Sequence, residues 1–198
     1  MPRKTRWDQV RRTAAELFAA SGYAASSLSQ LARHARLSKP VIYYHVRNKE
    51  ELLFRICEST MAVLLQSAQL AAGGARDPVA KLRQIIHAHA NHYWDHSWDL
   101  VILFGQRRYL SPARQRRIIA LERVYLDLVR GIIRDGVSRR VFHRVDPTVA
   151  AFSLFAILNT LDSWYKRKGA LRPKELVRQV ERLYLGGLVV RTRRRAGG

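Results

Sequence analysis

The chain has 198 residues, of which 47% are hydrophobic and 26% are charged. This length and composition allow one medium-sized domain, or a small domain joined to a larger one, and exclude a chain that is disordered throughout. The formal charge of +21, from 36 basic and 15 acidic residues, favours an anionic partner, either nucleic acid or a membrane surface.

Cysteine content and hydropathy indicate the cell compartment in which we expect the protein. The single cysteine, Cys57, excludes an internal disulfide and any zinc site built from several cysteines, and it fits a reducing cytosol. No apolar run reaches the ~18 residues needed to cross a bilayer, and no apolar segment follows the basic N-terminus as it would in a secretory signal. We therefore expect a cytoplasmic protein without a membrane partner.

Basic charge is concentrated near the N-terminus. Residues 1–50 contain ten Lys or Arg against three Asp or Glu, whereas residues 51–190 contain twenty-two against twelve. The last eight residues, 191–198, read RTRRRAGG and are predicted to form a basic disordered tail. Per residue, the first fifty positions are thus about twice as basic as the middle of the chain.

The first predicted helix runs from about Trp7 to Ser21. Its apolar side chains recur at helical spacing and are Val10, Ala14, Leu17 and Phe18. Gly22 is predicted to end it, because a left-handed backbone conformation costs least for glycine.

A second helix is predicted to begin at Ser27, which can form a capping box with Gln30. Its inner face consists of Leu28, Leu31, Ala32 and Ala35. Arg36 and Leu37 follow as a turn.

Ser38 can then cap a third helix over Lys39–His45. Pro40 is tolerated there, because the first turn of a helix leaves its amides without intrahelical partners. Asn48 and Glu51 repeat the capping-box pattern and predict a long fourth helix that ends near residue 73.

Prolines mark the starts of the later helices. Three of them follow a candidate cap residue, in the pairs Asp77-Pro78, Ser111-Pro112 and Asp146-Pro147, and a fourth, Pro173, follows Arg172, which is a poor cap. The predicted helices lie near 77–96, 111–139, 147–167 and 173–187, with a broken helical piece around 98–109. The expected fold is therefore all-α, with about nine helices and almost no strand signal.

Residues 27–46 have the properties of a helix-turn-helix motif. Two short helices are joined by a tight turn, Ala32 and Ala35 are small enough to let them approach closely, and Leu37 fills the angle between them. The second helix is rich in Lys, Tyr and His and is the expected DNA-reading element. Spacing and charge alone leave open a generic αα-hairpin with a solvated basic face.

A resemblance to a known family extends over about Arg6–Leu53 without a gap. The motifs that carry it are Glu16-Leu17-Phe18, Gly22-Tyr23, Leu31-Ala32, Leu37-Ser38-Lys39, Tyr43-Tyr44-His45 and Asn48-Lys49-Glu50-Glu51-Leu52. This segment resembles the DNA-binding domain of the TetR family of bacterial transcriptional regulators. The resemblance implies an N-terminal three-helix head at residues 1–53, joined by a long helix to a divergent effector-binding and dimerisation body at residues 54–190. It also implies a homodimer whose heads dock in the major groove of a double-stranded DNA operator.

Three positions depart from the family pattern. Pro40 and Arg36 stand where the family often has glycine, and Val46 replaces a common phenylalanine. We expect the fold to tolerate all three and any effect of Pro40 and Arg36 to fall on operator preference.

The candidate DNA contacts follow from position in the motif. Contacts to phosphates, which position the protein without reading sequence, are expected from Ser27, Ser38, Lys39, Tyr44, His45 and Lys49. Base-facing contacts are expected from Pro40, Val41 and Tyr43. Lys39 has a second candidate partner in the O6 and N7 atoms of guanine.

Two late helices carry more apolar side chains than an isolated surface helix exposes, at 147–167 and 173–187. Pairing with their copies about a twofold axis would bury this surface in a four-helix bundle. The family resemblance assigns its last two long helices to this role. An ordinary monomer core is the alternative.

The middle helices, about 77–140, are expected to form an effector cavity. The candidate lining residues are Tyr93, Trp94, Trp98, Phe104, Arg107, Arg108, Tyr125, Asn159 and Trp164. An apolar cavity with a basic rim suits a small amphipathic anion. Residues 105–173 loosely resemble the C-terminal domain of TetR regulators of fatty-acid, aromatic-acid and steroid breakdown, several of which respond to acyl-CoA thioesters. A solvated arginine face and an apolar or cationic multidrug-type effector remain alternatives.

A histidine stripe supplies a third alternative. His89, His92, His96 and Asp99 are spaced for one face of an unbroken helix and are candidate ligands for zinc or nickel in a metal-responsive regulator. Pocket-lining or surface histidines are the simpler interpretation, so no metal cofactor is predicted.

Sequence patterns of catalysis are missing. The chain has no glycine-rich phosphate loop, no G-x-S-x-G and no H-E-x-x-H, and Cys57 beside Ile56 suits packing better than nucleophilic attack. We therefore predict a nucleoid-associated, ligand-responsive DNA-binding regulator, acting as a repressor, rather than an enzyme. The helix-turn-helix resemblance argues against a third class, a basic protein that binds membranes or RNA without specificity.

Overall fold

A computed structural model describes residues 5–95, 97–165 and 171–190. The elements in chain order are α1 (Arg6–Ser21), α2 (Leu28–Ala35), α3 (Lys39–His45), α4 (Lys49–Gly73), α5 (Pro78–Asp95), α6 (Ser97–Gly105), a 3-10 turn (Arg107–Tyr109), α7 (Pro112–Ser138), α8 (Pro147–Asn159), α9 (Leu161–Trp164) and α10 (Pro173–Leu188). The described residues form no β-strand beyond one isolated bridge between Phe142 and Val189. The predicted all-α fold is confirmed, while the predicted tail at 191–198 lies outside the described residues.

Predicted cap residues bond the first turn of four helices, at Ser27, Asn48, Asp77 and Asp146. Ser38 precedes α3 without the predicted capping bond, and Arg172 precedes α10 without a side-chain capping bond. Ser27 and Gln30 form both bonds of the predicted capping box, and the Asp146 carboxylate accepts from the amides of Thr148 and Val149 at 2.8 and 3.0 Å. The box at Asn48 is modified: Asn48 accepts from the amide of Glu51 at 2.8 Å. The Glu51 carboxylate instead accepts from the amide of Arg47, one residue before the cap, also at 2.8 Å.

The helix predicted over 147–167 is shorter than expected. It ends at Asn159, and Thr160 (φ −110°, ψ 9°) separates it from the single turn α9. The Thr160 hydroxyl donates to the carbonyl of Ala156 at 2.7 Å, a bond of the kind that bends helices. The broken piece predicted around 98–109 is α6 followed by the 3-10 turn.

The chain packs as two compact units that are discontinuous in sequence. The first contains residues 1–64 and 95–122, and the second contains residues 65–94 and 123–198. The largest fully buried side chains of the first unit are Phe18, Leu31, Ile42, Leu52, Leu53, Ile56, Leu64 and Ile102. The predicted head at 1–53 therefore lies within a larger packing unit, and its boundary remains a prediction.

Two polar contacts join the head segment to residues 95–122 within the first unit. Arg11 on α1 forms an ion pair with Asp99 on α6, which is buried. The Glu50 carboxylate accepts from the amide of Ser111 at 2.8 Å and pairs with Arg114 at 3.1 Å. The bond from the Ser111 amide lowers the pKa of Glu50 and keeps it charged. Helix α6 and the start of α7 thus support the head directly.

The second unit is built from α5, the later part of α7, α8 and α10, together with the end of α4. Its largest fully buried side chains are Leu82, Ile85, Ile86 and Phe142. A Cβ atom at Gly136 would overlap the Phe142 ring, so the close approach of this ring requires glycine. None of the described helices is long and apolar enough to traverse a lipid bilayer.

Candidate functional site

The turn between α2 and α3 is set by an unusual backbone conformation. Arg36 has φ 54° and ψ 40°, in the left-handed region, and its amide donates to the carbonyl of Arg33 at 3.1 Å. The amide of Leu37 donates to the carbonyl of Ala32 at 2.9 Å, which closes the end of α2. The left-handed residue thus ends α2 before α3 begins, in a backbone region that glycine adopts at the lowest cost.

Helix α3 divides cleanly into a buried and an exposed side. Ile42 is fully buried and Val46, just after the helix, is 1% exposed. Tyr43 and Tyr44 are 54% and 87% exposed, although large aromatic side chains are usually buried. An exposed row of this kind is available to a partner. The predicted contacts that share this exposed side with them are Ser38, Lys39 and Pro40, while Val41 and His45 are half-buried.

Two predicted phosphate contacts already hold the fold together. The Ser27 hydroxyl accepts from the amide of Gln30 at 3.1 Å as the cap of α2. The Lys49 ammonium donates to the carbonyls of Tyr23, Ala24 and Ser26 at 2.9, 3.4 and 2.7 Å. It also lies 4.3 Å from the centroid of the Tyr23 ring, in a cation–π contact. An ammonium group has three N–H donors, so a phosphate contact from Lys49 would have to replace one of these bonds.

A hollow of about 420 Å³ opens on the exposed side of α3. Its lining residues are Arg6, Pro40, Val41, Tyr44 and His45. Sequence reasoning missed Arg6, which no candidate list contained. The signal that could have found it is the pair Thr5 and Asp8, a capping box that places the start of α1 one residue earlier than predicted.

The predicted effector residues are divided between the two units. Those in the second unit are Tyr93, Trp94, Tyr125, Asn159 and Trp164, and those in the first are Trp98, Phe104, Arg107 and Arg108. Trp98 and Trp164 are 49% and 53% exposed. Arg107 forms an ion pair with Glu122, and the Arg108 guanidinium lies 5.1 Å from the Tyr109 ring. The charge of Arg107 is therefore already balanced within its own unit.

An aromatic cluster occupies the interior of the second unit. The rings of Tyr125 and Phe155 are 4.8 Å apart, edge to face, and His89 Nδ1 lies 3.3 Å from the Tyr125 hydroxyl. Burial, reinforced by the charge of His92, lowers the pKa of His89 to about 3, and burial raises the pKa of Tyr125. Both side chains are therefore uncharged at neutral pH.

Two buried polar atoms of this interior have no hydrogen-bond partner among the described residues, His89 Nε2 and Asn159 Oδ1. Buried polar groups are normally paired, so these atoms are candidates for bonding a ligand. Sequence reasoning proposed Asn159 but assigned His89 only to the metal alternative.

The described residues contain no group of three or more His, Cys, Asp or Glu side chains placed to hold a metal ion. The third histidine of the predicted stripe, His96, lies outside the described residues. The metal alternative consequently remains a prediction. Burial raises the pKa of Cys57 to about 12, which fits the predicted packing role.

Helices α8 and α10 expose apolar side chains while burying others. Val149, Phe152 and Leu183 are 60%, 56% and 77% exposed. On the opposite sides of the same helices, Leu154 and Val180 are buried. Each helix therefore has an inner face within its own unit and a second apolar face available for another surface.

Comparison with known proteins identifies the family. The family described as "Bacterial regulatory proteins, tetR family" matches residues 10–56. The family described as "Tetracyclin repressor-like, C-terminal domain" matches residues 75–188.

Relatives agree with this assignment along the whole chain. The TetR family transcriptional regulator PfmR from Thermus thermophilus is 32% identical, with a TM-score of 0.85 over 91% of this chain and 98% of that one. The fatty acid metabolism regulator protein of Bacillus subtilis is 24% identical over 82% of this chain and 84% of its own length. AibR, solved with isovaleryl coenzyme A and operator DNA, is 24% identical with a TM-score of 0.83, covering 90% of this chain and 97% of its own, and shares the fold. The chain belongs to the TetR family and is a DNA-binding, ligand-responsive transcriptional regulator rather than an enzyme.

Proposed function

We propose that this protein is a repressor that binds a palindromic operator as a homodimer, and that a small amphipathic anion such as an acyl-CoA sets its affinity for that operator. The observation that carries the DNA-binding part is the exposed side of α3, where Tyr43 and Tyr44 point away from the core. Exposed aromatic and cationic side chains on a helix-turn-helix suit contacts to DNA bases and phosphates.

The proposed DNA contacts fall into two groups. Lys39, Tyr44 and His45 bind phosphates, and Ser38, whose side chain makes no capping bond, is available for the same role. Pro40, Val41 and Tyr43 face the bases. Ser27 and Lys49 serve the fold, because their polar atoms are bonded within it, and a phosphate contact from either would replace one of those bonds.

Dimerisation is supported by the exposed apolar faces of α8 and α10. Val149, Phe152 and Leu183 are each more than half exposed, and a twofold interface over these side chains would remove them from water. A dimer also presents two copies of α3, which is what a palindromic operator requires because its half-sites are related by the same symmetry.

The effector part of the proposal is supported by the neutral, buried side chains of His89 and Tyr125 in the second unit. The acyl chain would lie against the Tyr125 and Phe155 rings. His89 Nε2 and Asn159 Oδ1 would bond its polar groups, which relieves two unpaired buried atoms. Binding of isovaleryl coenzyme A by the similarly folded AibR, and the fatty-acid role named for the Bacillus relative, support an acyl-CoA. Arg107 and Arg108, which belong to the first unit, remain a prediction from the sequence alone.

Selection of duplexes from a random-sequence library tests the DNA-binding part. The native protein should enrich an inverted repeat, and a Tyr43→Ala, Tyr44→Ala double variant should not. Both side chains are exposed, so the double variant should keep the native melting temperature. Recovery of unrelated sequences by the native protein would contradict operator recognition.

A thermal-shift series tests the effector. A ligand that binds only the native state should stabilise it by about 2.7 kcal/mol at a hundred times its Kd, so melting temperature should rise with acyl-CoA concentration. Free coenzyme A is the matched control for the headgroup. Equal stabilisation by an uncharged apolar compound would favour the multidrug-type alternative, and stabilisation by zinc or nickel alone would favour the metal-responsive one.

The same effector must also discriminate between two states of the protein. A ligand that binds free and DNA-bound protein equally tightly cannot shift operator affinity. Operator affinity measured with and without acyl-CoA should therefore differ, and unchanged affinity at saturating ligand would reject this compound as the effector.

A further inference from the structure

The hollow on the exposed side of α3 has one wall from outside that helix. Pro40, Val41, Tyr44 and His45 all belong to α3, whereas Arg6 is the first residue of α1. The proline, valine and tyrosine supply apolar surface, and the arginine supplies a cation at the edge of the same space. This space of about 420 Å³ thus combines an apolar wall with a positive charge.

Arg6 is held in place by its neighbours on both sides. Thr5 caps α1: the Asp8 amide donates to the Thr5 hydroxyl at 3.1 Å, and the Thr5 amide donates to the Asp8 carboxylate at 2.9 Å. The Trp7 ring lies 5.8 Å from the His45 ring and 5.5 Å from the Arg55 guanidinium. The backbone of Arg6 therefore starts from a capped and packed turn beside α3, so its direction is constrained.

The guanidinium of Arg6 has no partner within the part of the chain that the structure describes, and its side chain is exposed. Other arginines nearby are neutralised: Arg11 pairs with Asp99, and Arg55 pairs with Glu51 at 3.0 Å. An unpaired guanidinium keeps its five N–H donors, in a geometry that matches phosphate oxygens.

We infer that Arg6 contacts the DNA backbone, and that the hollow between Arg6 and α3 holds one deoxyribose–phosphate unit of the operator strand. The sugar packs on the ring of Tyr44 and the phosphate meets the guanidinium, while Pro40 and Val41 face the bases. This inference rests on the proposed DNA-binding role of α3. It extends the interface to α1, which the helix-turn-helix itself does not include.

Backbone contact has a specific consequence. A phosphate contact strengthens binding to every sequence and contributes to the salt dependence, but does not change which base is preferred. Loss of one phosphate contact per protomer lowers the slope of log K against log salt by about 0.9, or roughly 1.8 for a dimer. If the variant and the native protein bind equally well at 1 M salt, this difference in slope corresponds to roughly 30-fold weaker binding by the variant near 0.15 M salt.

The test uses the full chain and a fluorescein-labelled duplex that the native protein has selected from a random library. Anisotropy titrations over a range of NaCl concentrations compare the native protein with Arg6→Ala, Arg6→Lys and Arg12→Ala. Arg12 is the matched control, because it is exposed on the same helix and does not line the hollow. We expect the reduced slope and the 30-fold loss for Arg6→Ala, restoration of the slope by Arg6→Lys, and a native slope for Arg12→Ala.

Melting temperature and base preference distinguish a lost phosphate contact from unfolding and from a base contact. Melting temperatures should agree among all four proteins, and if Arg6→Ala unfolds, Arg6→Gln takes its place. A slope for the Arg6 variant equal to that of Arg12→Ala overturns the inference, and so does a change in base preference, which would mean a base contact instead. Failure of the native protein to select any sequence overturns the proposed function itself.

Discussion

Two regions of this molecule differ in the exposure of their ionisable side chains to water. The exposed side of α3 carries Lys39 and the exposed rings of Tyr43 and Tyr44, all in contact with water. In the interior around His89, burial keeps His89 and Tyr125 neutral. Solvated cations can meet a polyanion at small desolvation cost, whereas a neutral interior selects by shape and hydrogen bonding. The two regions therefore suit the two proposed partners, DNA for the exposed side of α3 and a small molecule for the interior around His89.

The largest expected effect comes from placing a charge in each region. His89→Lys should lower the free energy of unfolding by about 3 kcal/mol or more, because an unpaired ammonium would be buried among Tyr125 and Phe155. Tyr44→Lys should change it by less than about 0.5 kcal/mol, since this side chain is 87% exposed. Urea unfolding curves of both variants make the measurement. Equal losses would mean that the two regions do not differ in polarity.

Substitution of Lys49 should have the next largest effect on stability, because the Lys49 ammonium stabilises the fold of the head. Lys49→Met removes three bonds to main-chain carbonyls around Ser26 and should cost about 1–2 kcal/mol of stability. The salt slope of DNA binding should stay native. Urea unfolding and anisotropy titration measure the two quantities.

Lys39→Ala is the control for Lys49, with the opposite expectation of native stability and a slope lower by about one unit per protomer. If Lys49→Met instead lowers the slope and leaves stability intact, then Lys49 is the phosphate contact that the sequence predicted, and the bonds to the carbonyls are replaced on DNA.

Helix starts were predictable because their signals are local. Ser27 with Gln30, and Asp146 with Pro147, place a capping side chain within three residues of the amide it serves. The end of α8 was not predictable, since apolar periodicity continues past Thr160 and only a side-chain bond to Ala156 marks the break.

Site geometry was less predictable, because it depends on residues far apart in sequence. Lys49 bonds carbonyls more than twenty positions earlier, and Arg6 reaches a space lined by residues of α3. The effector candidates were chosen by residue type, which cannot tell that Trp98 and Trp164 belong to different packing units. The identity of the exposed residues on α3 was accessible from the motif, while their roles on DNA remain predictions.

Lowering the pH should reduce the free energy of unfolding, because protonation of His89 is favoured in the unfolded state. Its pKa falls from 6.5 to about 3 on folding, so the unfolded state binds the proton more readily. The stability that His89 contributes is present above pH 6.5 and is lost as pH falls toward 3. Between pH 7 and 5.5 the loss should be about 1 kcal/mol. Urea unfolding at both pH values should show it in the native protein, and His89→Gln should abolish this part of the difference while keeping the part due to carboxylates.

Substitutions of Arg36 should have the smallest effect on the free energy of unfolding. This residue lies in the exposed turn before α3. A non-glycine residue in the left-handed region costs roughly 1 kcal/mol, of which glycine recovers only part because it also loses more backbone entropy on folding. Arg36→Gly should therefore raise the free energy of unfolding by about 0.5 kcal/mol, whereas Arg36→Ala, which keeps the strained φ of 54°, should not. Operator affinity shows whether the arginine at this strained position contributes to DNA binding. If Arg36→Gly is both more stable and weaker on DNA, the arginine is retained at position 36 for its contact with the operator. Unchanged affinity would show that the turn merely tolerates it.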